Sequence, residues 1–258
     1  MSDWPHDILR MIYNDPDATK RLKRRIRQRL PPVEVDYKGC RMKVHPADNN
    51  TEFQIWRMGR THEERALRDI LGHLGSDPYV AFDVGANAGS FSVRLGASAP
   101  SGSQIHAFEP NPVMRQRLVH NLKLNELNEV IVHDCAISDS VGEAEFYIPD
   151  VDNLGQARLH KPFENGTKHT VQTRVLTEFL KEDGAAEVAF LKVDIEGFED
   201  RAIEPLLTDA PERQHPKLVF FEHKHNALWK TDITALLKST GYTMAKEYGR
   251  NALFVKQP

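Results

Sequence analysis

From Tyr79 onward short apolar runs alternate with amphipathic helical stretches, and this alternation constrains the fold more than any other feature of the chain. "YVAFD" is followed by a helical pattern from about Ser90, "QIHAFE" by one over Val113 to Leu124, and then comes "VIVHDCAI". Runs this short and apolar read as strands buried on both faces. Strands joined through helices must lie parallel with right-handed crossovers, because a tight turn cannot return the chain in the same direction. The expected class is therefore α/β, a Rossmann-like, mostly parallel sheet with helices on both faces. "GEAEFYI" inserts an alternating strand, and the polar stretch from Asn153 to Thr170 reads as a loop over one face. "VAFLKVD" and "KLVFFEH" resume the buried strands around the helix "EDRAIEPLL". "YTMAKEYGRNALFVK" reads as two strands joined by a turn at Tyr248 to Asn251, an antiparallel ending.

Upstream, "HEERALRDILGHLG" places Ala66, Leu67, Ile70, Leu71 and Leu74 on one helical face, and "VEVDYKGCRMKV" reads as a small hairpin turning at Tyr37 to Cys40. "KRLKRRIRQR", Lys20 to Arg29, holds seven of the 34 basic residues and no acid, leaving 27 basic against 37 acidic residues elsewhere. It reads as a basic helix ended by "LPP", with Leu22, Ile26 and Leu30 as a narrow apolar stripe. That helix either docks its stripe on the body or offers an arm to an anionic partner: nucleic acid, membrane surface or phosphorylated substrate. Residues 1–58 are thus expected to form an N-terminal helical and hairpin extension, and residues 59–258 the main domain.

No apolar run approaches the ~18 residues of a membrane helix, and "MSDWPHDILRM" lacks the pattern of a signal peptide. Two cysteines, Cys40 and Cys135, on segments expected to lie far apart suit a reducing cytoplasm.

"VAFDVGANAGSFSVRL" carries the first strand-to-helix turn, where open α/β sheets bind ligands. Gly85 and Gly89 let the backbone approach a ligand, and the following helix points free N–H groups at it. A dinucleotide turn spaces its glycines as G-x-G-x-x-G. Here they lie four apart, with Asn87 between them and Asp83 two residues before, and an aspartate suits an ammonium better than a pyrophosphate. Glu109 closes the second strand, where an acid receives two ribose hydroxyls. Asp134 closes the third, placed to accept from an adenine amine while the backbone at Ala136 meets the ring edge. A ribose-bearing nucleoside joined to an amino acid describes S-adenosylmethionine.

These motifs resemble those of the FkbM-type methyltransferases, a branch of the class I S-adenosylmethionine-dependent enzymes. The resemblance rests on "FDVGANAGSFS" (Phe82 to Ser92), "FEPNP" (Phe108 to Pro112) with "NLKLN" (Asn121 to Asn125), "AISD" (Ala136 to Asp139), "LKVDIEGFE" (Leu191 to Glu199) and "FFEH" (Phe220 to His223). It runs from about Gly59 to the end. It implies a seven-stranded sheet with a reversed last strand, and methyl transfer to oxygen on sugars, polyketides or other small metabolites.

In the second half, "KVDIEGFE" brings Lys192, Asp194 and Glu196 to the cleft edge where a methyl acceptor would sit, with Lys192 and Asp194 on one strand face and able to pair. The next strand delivers Glu222 and His223 to the same edge, whereas His225 reads as solvent-facing. A hydroxyl acceptor needs a base or a metal. His223 with its neighbouring carboxylates supplies a base, and this is preferred over Asp194, Glu222 and His223 holding magnesium or manganese. The reading is a cytoplasmic O-methyltransferase with a small-molecule acceptor. Its rivals are a nicotinamide-dependent oxidoreductase on a similar sheet, which wants the missing glycine pattern, and a nucleic-acid-binding module using the basic helix, which lacks aromatic-basic interleaving.

Overall fold

A computed structural model describes residues 6–150, 153–159, 162–182 and 188–257. In chain order its elements are α1 (His6–Asn14), α2 (Lys20–Arg27), β1 (Val33–Tyr37), β2 (Cys40–Val44), α3 (Asn50–Met58), α4 (Glu64–Leu74), β3 (Val80–Val84), α5 (Ser90–Ser98), β4 (Gln104–Phe108), α6 (Pro112–Leu124), β5 (Val130–His133), β6 (Ala136–Ile137), β7 (Gly142–Pro149), β8 (Gly166–Arg174), α7 (Leu176–Glu182), β9 (Val188–Val193), α8 (Glu199–Thr208), β10 (Leu218–Glu222), α9 (Ile233–Ser239), β11 (Tyr242–Tyr248) and β12 (Asn251–Lys256).

Seven strands form one sheet in the order β11-β12-β10-β9-β3-β4-β5, and β12 runs antiparallel to both neighbours while β3, β4, β5, β9 and β10 pair in parallel. This is the α/β class I methyltransferase arrangement that the alternating pattern and the resemblance led us to expect. The strand pleat sorts the core into two layers. Phe82, Val84, Val193, Val219 and Phe221 face α7, α8 and α9 through Phe179, Ile203 and Leu237. Ala81, Ile105, Ala107, Phe190 and Phe220 face α4, α5 and α6 through Leu67, Phe91 and Leu118. The second layer also receives Asp83 and Lys192, register partners across β3 and β9.

Three elements depart from the sequence reading. "VIVHDCAI" is not one strand, because the main ladder ends at His133 and Ala136–Ile137 joins β7 and β8 in a separate three-stranded sheet. The expected loop from Asn153 to Thr170 contains a 3-10 turn at Leu154–Gln156, and Gly166–Arg174 is a strand paired antiparallel to β7. Its alternation is hidden because both of its faces are mostly exposed, so nothing selects apolar residues at alternate positions. The stripe on the basic segment is also shorter than expected. Ile26 and Leu30 dock on the cluster of Tyr37, Met42, Phe53 and Trp56, while Leu22 stays exposed.

A partly buried ion cluster ties the N-terminal hairpin and α3 to the sheet layer. Arg117 of α6 donates to both carboxylate oxygens of Asp48 (2.8 Å each) and to Glu52 (2.7 Å), and Asn121 accepts from the Lys43 N–H. Cys40 and Cys135 are both free and buried. Among the described residues no helix is long and apolar enough to cross a membrane.

Candidate active site

The turn after β3 is held open by residues in the left-handed region: Gly85 (φ +76°), Asn87 (φ +53°) and Gly89 (φ +93°). At Gly85 the requirement is steric as well, since a Cβ would overlap the carbonyl oxygen of Asp194 at the end of the neighbouring strand. Asn87 tolerates the conformation because its own polar groups are used. Its N–H donates to Glu109 Oε2 (2.7 Å), and its Oδ1 accepts from Asn49 (2.8 Å) and from the N–H of Ala88 (2.8 Å). Glu109 also accepts the Asn111 N–H on Oε1 (2.8 Å). Burial pushes its carboxyl up to about 7, against the pull of those two N–H groups.

Below this turn β9 delivers a second one. The Asp194 N–H donates to the Val84 carbonyl (3.1 Å), and the chain then bends through Glu196 (φ +54°) and Gly197 (φ +105°). A non-glycine residue in this region costs about 1–2 kcal/mol, so the turn needs support. Glu199 supplies it by accepting the N–H groups of Ile195 (3.0 Å) and Gly197 (3.1 Å) on one oxygen and Trp229 Nε1 (2.9 Å) on the other. Held this way, Glu196 reaches His225 Nε2 at 3.1 Å and Lys224 Nζ at 3.7 Å. Glu196, Glu222 and His225 each present a ligand atom, all within 4.8 Å of one another. Such a set can share a proton or hold a divalent cation. Burial, then the charges of Asp194 and Glu196, push the Glu222 carboxyl up to about 8, and burial followed by Asp194 also raises Glu196.

Both turns open into one cavity, lined by Gly85, Asn87, Glu109, Ala136, Lys192, Asp194, Glu196 and Glu222 among the residues singled out from the sequence. Four others lie elsewhere. Asp83 is fully buried, with Lys192 Nζ 3.1 Å from Oδ1 and Ser92 Oγ donating to Oδ2 (2.6 Å). Lys192 therefore pairs across the ladder with Asp83, not along its own strand with Asp194. Gly89 caps α5, where a Cβ would press on Leu118. The Asp134 side chain is 69% exposed and paired with Arg115 at 2.6 Å, outside the cavity lining. His223 faces a different hollow, with Trp229, Asp232 and Met244, so Asp194, Glu222 and His223 do not converge. The strand ladder ends at Glu222, and the turn that follows brings His225 round to Glu196 instead.

The sequence reading also passed over part of the wall. Thr51 and Glu63 line the cavity from the N-terminal side, and Asn153 to Leu159 lie along it as a strap. The strap is fixed at both edges: the Leu154 N–H donates to the Asp48 carbonyl (2.8 Å), Asn111 donates to the Leu154 carbonyl (3.0 Å), and Asn153 accepts the Asn50 N–H (3.0 Å). It passes so close to the β3 turn that a Cβ at Gly155 would overlap the Asn87 amide. The sequence reads this segment as a loop over one face, and the structure seats its first part on the cavity.

With the site described, comparison with known proteins adds a family model, described as the methyltransferase FkbM domain, that matches residues 83–244. Methyltransferase sdnD of Sordaria araneosa is 27% identical over 206 residues, covering 69% of this chain and 78% of that protein. The 31-O-demethyl-FK506 methyltransferase FkbM of Streptomyces tacrolimicus is 28% identical over 196 residues, covering 65% and 74%. A solved structure of methyltransferase FkbM from Methylobacillus flagellatus KT aligns at 18% identity with a TM-score of 0.46; the alignment covers 80% of this chain but 53% of that one, so this chain spans about half its length.

Proposed function

Because the chain belongs to the FkbM methyltransferase domain family, we propose that it methylates a hydroxyl oxygen of a small metabolite such as a sugar or natural-product intermediate, using S-adenosylmethionine. The observation that carries this reading is one cavity with a nucleoside-type end, at Gly85, Asn87, Glu109 and Ala136, and a proton-accepting end, at Glu196 and Glu222, with His225 behind Glu196. The relative named for 31-O-demethyl-FK506 is named for an oxygen acceptor, which supports the same atom here.

The residues fit the cofactor. The left-handed turn at Gly85 leaves room for close backbone approach, Glu109 is a buried carboxylate on the cavity, and Ala136 with Cys135 forms an apolar edge. Glu109 would hold the ribose hydroxyls. Bound there, S-adenosylmethionine supplies an activated methyl group, which needs in-line placement and little further help. The acceptor needs more, since an alcohol is a weak nucleophile until its proton is taken. Glu222 is the better base because its raised affinity for protons brings it closer to the task than an ordinary carboxylate. Glu222 would take the acceptor's proton as its oxygen receives the methyl group, the methyl–sulfur bond breaking with its electron pair left on the departing thioether, and Glu196 with His225 would offer the proton a route out.

The pH profile tests this. A base with a carboxyl near 8 is active when ionised, so kcat/KM is expected to rise with pH through about 8 and level off above it. Glu222→Gln is expected to lower kcat about 10²- to 10⁴-fold and to flatten that rise, with EDTA leaving the wild type unchanged. Loss of activity in EDTA with recovery in magnesium or manganese would replace the proton acceptor by a cation held at Glu196, Glu222 and His225. An unchanged profile in Glu222→Gln would refute both.

A further inference from the structure

Asp83 was offered by the sequence to the ammonium end of the ligand, yet that carboxylate already faces a cation. Lys192 stands opposite it in the β3–β9 register, with Nζ 3.1 Å from Asp83 Oδ1. The same Nζ donates to the carbonyls of Gly85 (2.7 Å) and Val84 (3.3 Å) at the strand end. A second ammonium directed there would meet the first at close range, and like charges in a half-dry site repel strongly. The ligand's ammonium therefore needs a different acid. Glu109 is bonded by two backbone N–H groups at the far end, while Glu196 and Glu222 group with His225.

Glu63 and Asp194 remain on the cavity wall. Glu63 stands immediately before α4, where its carbonyl accepts the Leu67 N–H (2.8 Å) and fixes its backbone. Its carboxyl is raised by burial first and by the charge of Asp194 second, and both acids face the same cavity. Among the described residues neither is held by a cation within ion-pair distance. A pair of half-buried carboxylates that repel each other gains from any cation placed between them.

We propose that Glu63, with Asp194, receives the α-ammonium of the cofactor's amino-acid moiety, which makes Glu63 a cofactor-binding residue contributed from ahead of the sheet. This rests on the S-adenosylmethionine reading above. It also assigns Lys192 a definite job, to neutralise Asp83 and the strand-end carbonyls so that the ligand's charge is read by Glu63 and Asp194.

Two ligands separate the amino-acid end from the rest. S-adenosylhomocysteine carries the ammonium, whereas 5′-methylthioadenosine keeps the nucleoside and thioether without it. In calorimetry, Glu63→Gln is expected to weaken S-adenosylhomocysteine about 10- to 100-fold while leaving 5′-methylthioadenosine within about twofold. Glu63→Asp, which keeps the charge on a shorter arm, is expected to fall between. Equal weakening of both ligands, or of neither, would overturn the assignment. Should Glu63→Gln fail to fold, Glu63→Asp alone decides, since selective weakening of S-adenosylhomocysteine supports the proposal and any other pattern overturns it. A wild-type protein that binds neither ligand would instead refute the cofactor reading itself.

Discussion

Gly85→Ala puts the closest approach in the site under direct test. The new Cβ would overlap the Asp194 carbonyl oxygen and stand 3.0 Å from its carbon and 3.1 Å from Ile195 Cγ2, so β3 and β9 would have to separate at their ends. Backbone faces backbone there, and no side-chain rotation relieves the clash. Separation lengthens the Asp194 N–H bond to Val84 and the Lys192 bond to Gly85, for about 1 and 2 kcal/mol, while the left-handed φ of +76° adds about 1 kcal/mol for a residue with a side chain. The expected loss is roughly 4 kcal/mol, or about 8–16 °C in Tm for a domain of this size. Gly249→Ala is the control, because that glycine also has a positive φ (+67°) but a Cβ there would meet nothing within 4 Å. It is expected to lose only the conformational part. Thermal melts of both variants, with calorimetry against S-adenosylhomocysteine, give the difference, and affinity is expected to drop at least tenfold in Gly85→Ala alone. If the two variants melted together and bound alike, the close approach of the two turns would not be what demands the glycine.

Glu109→Ala is expected to weaken cofactor binding about 10- to 100-fold, because charge-assisted hydrogen bonds to a diol give way partly to water; an unchanged Kd in a folded variant would remove Glu109 from the site. His223→Ala is expected to keep kcat within about threefold while His225→Ala lowers it at least tenfold, and the reverse order in steady-state kinetics would restore His223 to the chemistry. Reversing Arg21, Arg24 and Arg25, all exposed on α2, to glutamate is expected to shorten retention on heparin and leave methyl transfer unchanged. Unaltered retention would leave that helix with no role beyond docking.

Strand ends were legible because their signals are local. A buried strand must be apolar along its length, so the polar residues that close β4, β9 and β10 stand out, and Glu109, Asp194 and Glu222 were found that way. Partners set by the fold were not legible. Asp83 meets Lys192 only because β9 lies beside β3 although more than a hundred residues separate them, and no spacing along one strand reveals that. The choice between His223 and His225 turned on one residue, since β10 stops at Glu222 and the turn after it reverses the expected facing. Glu63 carries no pattern of its own, as "HEER" looks like any solvated helix start. α3 escaped notice for a related reason: it buries Glu52 beside Phe53, Ile55 and Trp56, and a buried acid blurs the apolar stripe that would announce it.

The short asparagine and acid segment ahead of α3 bears on what piece of this chain is a working unit. Asn49 steadies Asn87, the Asp48 carbonyl anchors the strap, and Asp48 with Glu52 satisfies Arg117, whose side chain is only 9% exposed. A fragment cut at residue 59 would keep every strand of the main sheet and still lose one side of the cavity, and one cut at residue 83, where the family match begins, would also remove most of β3. Either cut would also leave Arg117 without the two carboxylates that it pairs with. Truncation for expression, or transplantation of this site onto a related scaffold, therefore has to carry the hairpin and α3 along, because the wall of the cavity starts well before the sheet does.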